Sequence, residues 1–235
     1  MSKGFNTQEY WENRISKHGM YDSIGRISLS EKVNEKRKKR VCQDLETVLD
    51  HREVNLSGKK VLDAGCGTGV YSKFYAERGC DVSGIDFSQS AIEKIQLENI
   101  SGDFRVGDVS SLDFESDQFD IVHCFSVLYH IVNNEAWNYA ISELCRVLKP
   151  DGILLFRVGW LSEDWSPAEH VKFRSKQRYI RKLSDHGVNE LNSNSITDAL
   201  RFSMMSKRFP KMLSSDLFWK KNPDQKIIVG KLINE

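Results

Sequence analysis

The stretch VLDAGCGTG, residues 61–69, decides the fold. Apolar residues lead into Asp63. Gly65, Gly67 and Gly69 follow, and an amphipathic helix begins behind them. Glycine adopts backbone angles closed to other residues and lets a ligand approach the main chain. The helix N-terminus behind such a loop favours polar or anionic groups. A nucleotide fits at this strand-to-helix crevice of an α/β sheet. A glycine-rich turn alone also serves as a plain tight turn, so its neighbours have to decide.

Outward from this loop, short apolar strands alternate with helices. The pattern predicts strands at Lys60–Ala64, Val82–Ile85, Phe104–Val106 and Phe119–Phe125. Helices fall at Val70–Arg78, Ser88–Glu98 and Asn134–Leu148. In the last of these, Ala140, Leu144, Val147 and Leu148 share a face. Pro150-Asp151-Gly152 reads as a turn into a strand over Ile153–Val158. Such alternation implies a parallel sheet covered on both faces. Right-handed crossovers make it doubly wound. The first 55 residues lack proline and read as helical. One helix spans residues 7–18 with Thr7 as its N-cap and Glu9 and Glu12 early in it. Another runs from Ser30 to about Glu53, with Val41, Leu45, Val48 and Leu49 on one face. Towards the C-terminus, 168–185 and 195–208 read as helices and Ile227–Ile233 as a closing strand. The penultimate strand falls near Val188 or near Leu217, and pattern leaves both open.

Composition narrows the class. The chain has 235 residues, 29% of them charged, with 34 basic against 33 acidic for a net charge of +1. This excludes a charge-driven disordered chain and gives no support to nucleic-acid binding through overall charge. Five cysteines with no close pair argue against a disulfide framework and against zinc, and no other metal is expected. The N-terminus has no signal-like apolar core, and no run approaches the ~20 apolar residues of a membrane span. The expectation is a cytoplasmic protein, a monomer or homodimer.

The next strands strengthen the ligand reading. Asp86 ends the second strand, within Gly84-Ile85-Asp86-Phe87-Ser88. An acid about 20 residues after the glycines is placed to accept from ribose hydroxyls. Asp108, within Gly107-Asp108-Val109, follows the third strand and can accept from an adenine amine. Phe87 and Val109 then sandwich the base. A surface turn explains one such aspartate, but not three in register. The loop is GxGxG rather than the GxGxxG of dinucleotide dehydrogenases, which speaks against NAD, and no Gly-Lys-Ser/Thr follows to make a P-loop.

With these residues, and with FDIVHCFSVLYHI (119–131) followed by ELCRVLKPDG (143–152), the sequence resembles the class I S-adenosylmethionine-dependent methyltransferases, in their small-molecule branch. The resemblance covers about residues 55–160. It implies a mostly parallel seven-stranded sheet with an antiparallel C-terminal strand and an N-terminal helical cap. It implies S-adenosylmethionine as cofactor. Asp63, Ala64 and Gly65-Cys66-Gly67 with Gly69 would hold its amino-acid end, Asp86 the ribose and Asp108 the adenine, with Phe125 bordering the site. In this family the EYWENR helix (9–14) would cover the cofactor. Tyr10 and Arg14 share a face of it, and Arg14 would pair with the methionine carboxylate. The plainer alternative is that Trp11 and Ile15 simply pack this helix down.

A sulfonium methyl is already a strong electrophile. The protein needs to align a nucleophile and, for a hydroxyl, remove its proton. His130 after the fourth strand is the candidate base; a structural histidine capping the loop is the competing reading. His123 lies inside the strand and reads as buried structure. Tyr129, Arg157, Trp160 and Trp165 would line an acceptor pocket with aromatic walls and one cation; lid packing is the alternative for the tryptophans. No Asn/Asp-Pro-Pro-aromatic run follows the fourth strand, which argues against adenine and glutamine N-methylation, and no cysteine pair fits a cytosine C5 enzyme. The run Lys36-Arg37-Lys38-Lys39-Arg40 reads as a solvated helical face. The expectation is one methyltransferase domain over 1–235, with a cap (1–55), a cofactor core (56–160) and an acceptor lid with closing strands (161–235). It would methylate an O or N of a small metabolite such as a sugar or natural-product intermediate. An RNA methyltransferase using residues 36–40 and a non-catalytic cofactor-binding regulator are the alternatives.

Overall fold

The computed structural model describes residues 5–24, 28–159, 161–191 and 225–232. Helices α1 (Thr7–Lys17), α2 (Met20–Ser23) and α3 (Glu31–Asp50) come first. Then β1 (Lys60–Ala64), α4 (Val70–Ala76), β2 (Asp81–Asp86), α5 (Gln89–Leu97) and β3 (Asp103–Val106) alternate. They are followed by β4 (Phe119–Phe125), α6 (Asn134–Arg146) and β5 (Leu148–Gly159). A short pair, β6 (Trp165–Ala168) and β7 (Val171–Phe173), precedes α7 (Lys176–Ser184), β8 (Val188–Leu191) and β9 (Gln225–Leu232).

The main sheet has the order β3-β2-β1-β4-β5-β9-β8. The five strands from β3 to β5 are parallel, as the alternation predicted. β9 runs antiparallel to both β5 and β8. The order reverses beside β1, so the loop after β1 opens at the topological switch point. One face is sealed by Leu45 and Leu49 of α3 and Tyr71, Phe74 and Tyr75 of α4 against Val61, Ile121 and Leu155. The other is sealed by Ala140, Ile141 and Leu144 of α6 and Tyr179 and Leu183 of α7 against Leu62, Val122 and Leu154.

Several local expectations are corrected. The first helix is capped by Asn6, whose side chain accepts from the Glu9 N–H, so Thr7 is already helical. Residues 168–173 are not helical; Val171-Lys172-Phe173 pairs with Trp165–Ala168, where Pro167 is tolerated at a two-stranded edge. Pro150-Asp151-Gly152 does not separate two elements. Phe119 pairs with Leu148 and Ile121 with Ile153, so the segment bulges from a continuous β5. Val188–Leu191 supplies the strand beside β9; the expected helix 195–208 and Leu217 lie outside the described residues.

The strand-end aspartates are not level. Asp63 pairs with Gly84, two residues before Asp86, and Asp86 pairs with Val106, two residues before Asp108. Along the strand direction the backbone of Asp86 therefore stands about 6–7 Å beyond that of Asp63, and Asp108 follows beyond the end of β3.

Candidate active site

The glycine loop is built by left-handed backbone. Gly65 has φ +78° and Gly67 φ +54°. A Cβ on Gly65 would meet Val127 Cγ2 at 2.3 Å, so this position admits no side chain. The Gly65 and Cys66 amides both donate to the Ile85 carbonyl, folding the loop back over β2. Gly69 caps α4, Ala64 and Cys66 are buried, and Thr68 Oγ donates to the Met20 carbonyl at 2.7 Å.

The step in register becomes a gradient of environment. Asp63 is 1% exposed and accepts from Ser72 Oγ at 2.6 Å. Burial pushes its carboxyl up to about 7, although the Ser72 bond opposes this. Asp86 is 6% exposed and accepts from the Gly67 and Ser88 amides at 2.9 and 3.0 Å. Burial lifts it to about 6 against those two bonds. Asp108 is exposed, and one of its oxygens accepts from the Ser110 amide and hydroxyl. Phe87 is half-buried, whereas Val109 is packed in the core with Leu112.

Helix α1 is clamped onto this edge by Glu12. Its carboxylate accepts from Ser88 Oγ at 2.6 Å and from the Ser90 hydroxyl and amide. Against the desolvation of its site, these bonds hold the carboxyl below its ordinary value. Gln8 donates to the Phe87 carbonyl, and Lys94 donates to the His18 carbonyl. Tyr10 and Arg14 do share a face: Arg14 donates to Tyr10 Oη at 3.2 Å and to the Ser23 carbonyl at 2.7 Å.

After β4, Ser126 takes φ +64°, rare for a residue with a side chain, and turns the chain into a 3₁₀ turn over Leu128–His130. Arg174 fixes this turn from β7's end. It is buried, donates to the Leu128, Val132 and Asn133 carbonyls, and lies 4.8 Å over the Trp137 ring. His130 Nδ1 donates to the His170 carbonyl at 2.9 Å, which leaves Nε2 as the accepting nitrogen of a neutral ring. Burial pulls His130 down to about 4, so it is neutral near pH 7. Around it, Trp11 packs edge-on at 4.8 Å, and Tyr129 leads through Phe173 to Trp165 by stacked rings. Tyr10 stacks on His170 at 4.7 Å. Trp160 lies outside the described residues.

Beneath this layer, His123 is fully buried, as expected. Its Nδ1 lies 2.8 Å from Tyr75 Oη, its Nε2 has no partner, and burial pulls it down to about 3. Phe125 packs against it at 3.9 Å and, in register, pairs with Arg157. The basic run does not form one solvated face. Lys39 pairs with Glu35 outside, while Lys38 is half-buried with Nζ 5.3 Å from the centre of the Tyr71 ring.

Residues 61–152 match the family described as "Methyltransferase domain". The ubiquinone biosynthesis O-methyltransferase of Pseudomonas fluorescens (strain SBW25) is 33% identical over 147 residues, 60% of each chain. That of Azoarcus sp. (strain BH72) is 37% identical over 106 residues, 43% of this chain and 44% of the relative. The matched part thus spans about 60% or less of these curated relatives. The fold is shared with magnesium protoporphyrin IX methyltransferase from Synechocystis PCC 6803, solved with bound SAM, at TM-score 0.65, 16% identity and 98% and 99% coverage. It is shared equally with the [4+2]-cyclase SpnF, at TM-score 0.64, 18% identity and 99% and 98% coverage.

Around this site, the sequence reading missed Glu12, Lys38, Tyr71, His170 and Arg174. Lys38 had a legible signal: it falls on the apolar stripe with Val41, Cys42, Leu45 and Leu49. Glu12 and Arg174 had none, because their partners lie 76–78 and 40–46 residues away.

Proposed function

We propose that the protein is an S-adenosylmethionine-dependent methyltransferase acting on an O or N of a small metabolite. The observation that carries this is the stepped row Asp63, Asp86, Asp108 around a glycine loop at the switch point. It runs from a buried carboxyl to a solvent-facing one. A ligand with an amino acid, a ribose and a base in sequence matches that row in length and chemistry. Asp63 and the Gly65–Gly67 backbone would hold the amino-acid end. Asp86, beside the Gly67 amide, would take the ribose hydroxyls, and Asp108 with Phe87 and Val109 the adenine. Tyr10 and Arg14 would cover it from α1.

The cofactor, when bound, supplies a methyl group on a positively charged sulfur, ready for in-line transfer. This chain's part is to orient the acceptor, exclude water and receive one proton if the acceptor is a hydroxyl. His130 suits the last task, since its Nδ1–H is held by the His170 carbonyl and its Nε2 accepts. The named activity of the relatives favours oxygen as the methylated atom. Residues 1–55 would serve as cap, 56–160 as cofactor core and 161–235 as acceptor lid. The inward turn of Lys38 and the Lys39–Glu35 pair weaken the RNA alternative.

A fold shared with a cyclase does not choose the reaction, so activity has to be measured. Calorimetry should detect binding of S-adenosylhomocysteine, and a metabolite screen with labelled S-adenosylmethionine should find an acceptor. Asp86→Ala should weaken cofactor binding at least tenfold, about 1.4 kcal/mol. Unchanged affinity in a folded variant overturns the assignment of Asp86.

A further inference from the structure

Beside His123, the first turn of α4 gathers groups to which the proposed cofactor contacts give no task. Tyr71 is buried, and its hydroxyl has no hydrogen-bond partner. Its ring is fixed against Phe125 at 5.3 Å, edge-on, and against His123 at 4.8 Å. A buried hydroxyl without a partner is costly, so something has to justify it. Lys38 Nζ lies over the same ring. Arg157 acts electrostatically on both the Tyr71 hydroxyl and the Lys38 ammonium. Burial and then Arg157 pull Lys38 down to about 8. Cys42 and Asp63 pull it the other way; Asp63 is itself raised to about 7 and is no full counter-ion.

Lys38 lies over the ring of Tyr71, in the first turn of α4 directly behind the glycine loop, and so stands near the carboxyl edge. Arg157 and Phe125 lie at that edge too, at matching register near the ends of β5 and β4. Lys38 and Arg157 thus bring positive charge to an orphan donor. They are arranged as a charged oxygen group would need them: two charge-assisted donors and one neutral hydroxyl, walled by aromatic rings.

We propose that Lys38, Arg157 and the Tyr71 hydroxyl form a subsite for an oxyanion, a carboxylate or phosphate, carried by the methyl acceptor. The proposal rests on the methyltransferase reading and narrows its acceptor to an anionic small molecule. Neutral sugars would not use this subsite.

The test is fluorine NMR on the full chain with S-adenosylhomocysteine bound. The probes are 4-fluorobenzoate, 4-fluorophenyl phosphate and the neutral 4-fluorobenzamide. At least one anion should bind tenfold or more tightly than the amide, and the one that does names the source of the charge. Lys38→Met and Tyr71→Phe should each weaken it tenfold or more, with S-adenosylhomocysteine affinity by calorimetry unchanged. Neither change threatens folding, since one removes a disfavoured charge and the other an unbonded oxygen. Equal binding of the amide, no anion binding, or anion binding unaltered in both variants overturns the subsite. Failure of the wild-type protein to bind S-adenosylhomocysteine overturns the methyltransferase reading instead.

Discussion

The carboxyl edge of the sheet has two halves that are made differently. Around β1, β2 and β3, every proposed contact of the strand ends lies within residues 63–109, and local backbone geometry sets most of it. Gly65 and Gly67 supply φ values that only glycine takes freely, and Asp86 is held by amides one loop and two residues away. Around β4 and β5, the groups come from α1, α3, α4 and the β6–β7 pair. Lys38 meets Tyr71, and His130 meets His170, only because the chain folds. Under the proposed function, the first half would bind the cofactor by a repeated strand-end pattern. The second would have to be specific to an acceptor, and a site built from many distant segments can vary without disturbing the first.

Substitutions can break this division. The largest effect is expected for His130→Ala: turnover on a hydroxyl acceptor should fall about a hundredfold or more with cofactor affinity kept. A near-normal rate would remove His130 from the chemistry. Because His130 is pulled down to about 4, the wild-type kcat should not follow this group between pH 6 and 8 and should fall only as it charges in acid.

A smaller effect, up to about tenfold, is expected from pH on the cofactor half. Asp86 is raised to about 6, so its proton must leave before it accepts from two hydroxyls. S-adenosylhomocysteine affinity should therefore rise as pH rises through about 6. In Asp86→Asn the rise should shrink to what Asp63, at about 7, contributes. An identical pH profile in the variant would mean that Asp86 does not touch the ligand.

The smallest effect tests the join between the halves. Glu12→Gln should cost about 0.5–1.5 kcal/mol in thermal or urea unfolding near neutral pH. The folded-state pKa of Glu12 is lowered, so its contribution is present above the unfolded value of 4.5 and lost as pH falls through the folded one. The difference between variant and wild type should vanish in acid. If it persists there, the Glu12 carboxylate is not what holds α1 to α5.

Legibility in the sequence follows the same division. The parallel strands from Lys60 to Val158, the glycine loop and the identity of the three aspartates were readable, because strand ends and turns are coded by neighbours. The two-residue step between the aspartates was not, because register depends on how separate strands pair. Residues 168–173 were misread as helix; Val171–Phe173 takes its state from pairing with Trp165–Ala168. The run at 36–40 was read by its composition as a solvated face, when the stripe from Lys38 to Leu49 already placed one of its lysines inward.

By itself, then, the sequence determined the parallel α/β core: glycine at the left-handed positions of the loop after β1, apolar strands of the right length, and an acid at or just beyond the end of each of the first three. These are properties of single segments, and local sterics and hydrophobic patterning enforce them. Only the tertiary structure decided that Glu12 ties α1 to the second strand's loop, that the His170 carbonyl sets the tautomer of His130, and that Lys38 lies over the ring of Tyr71, whose hydroxyl is unpartnered. Those are contacts between segments dozens of residues apart, and only the packing of the helices and the β6–β7 pair onto the sheet brings them together.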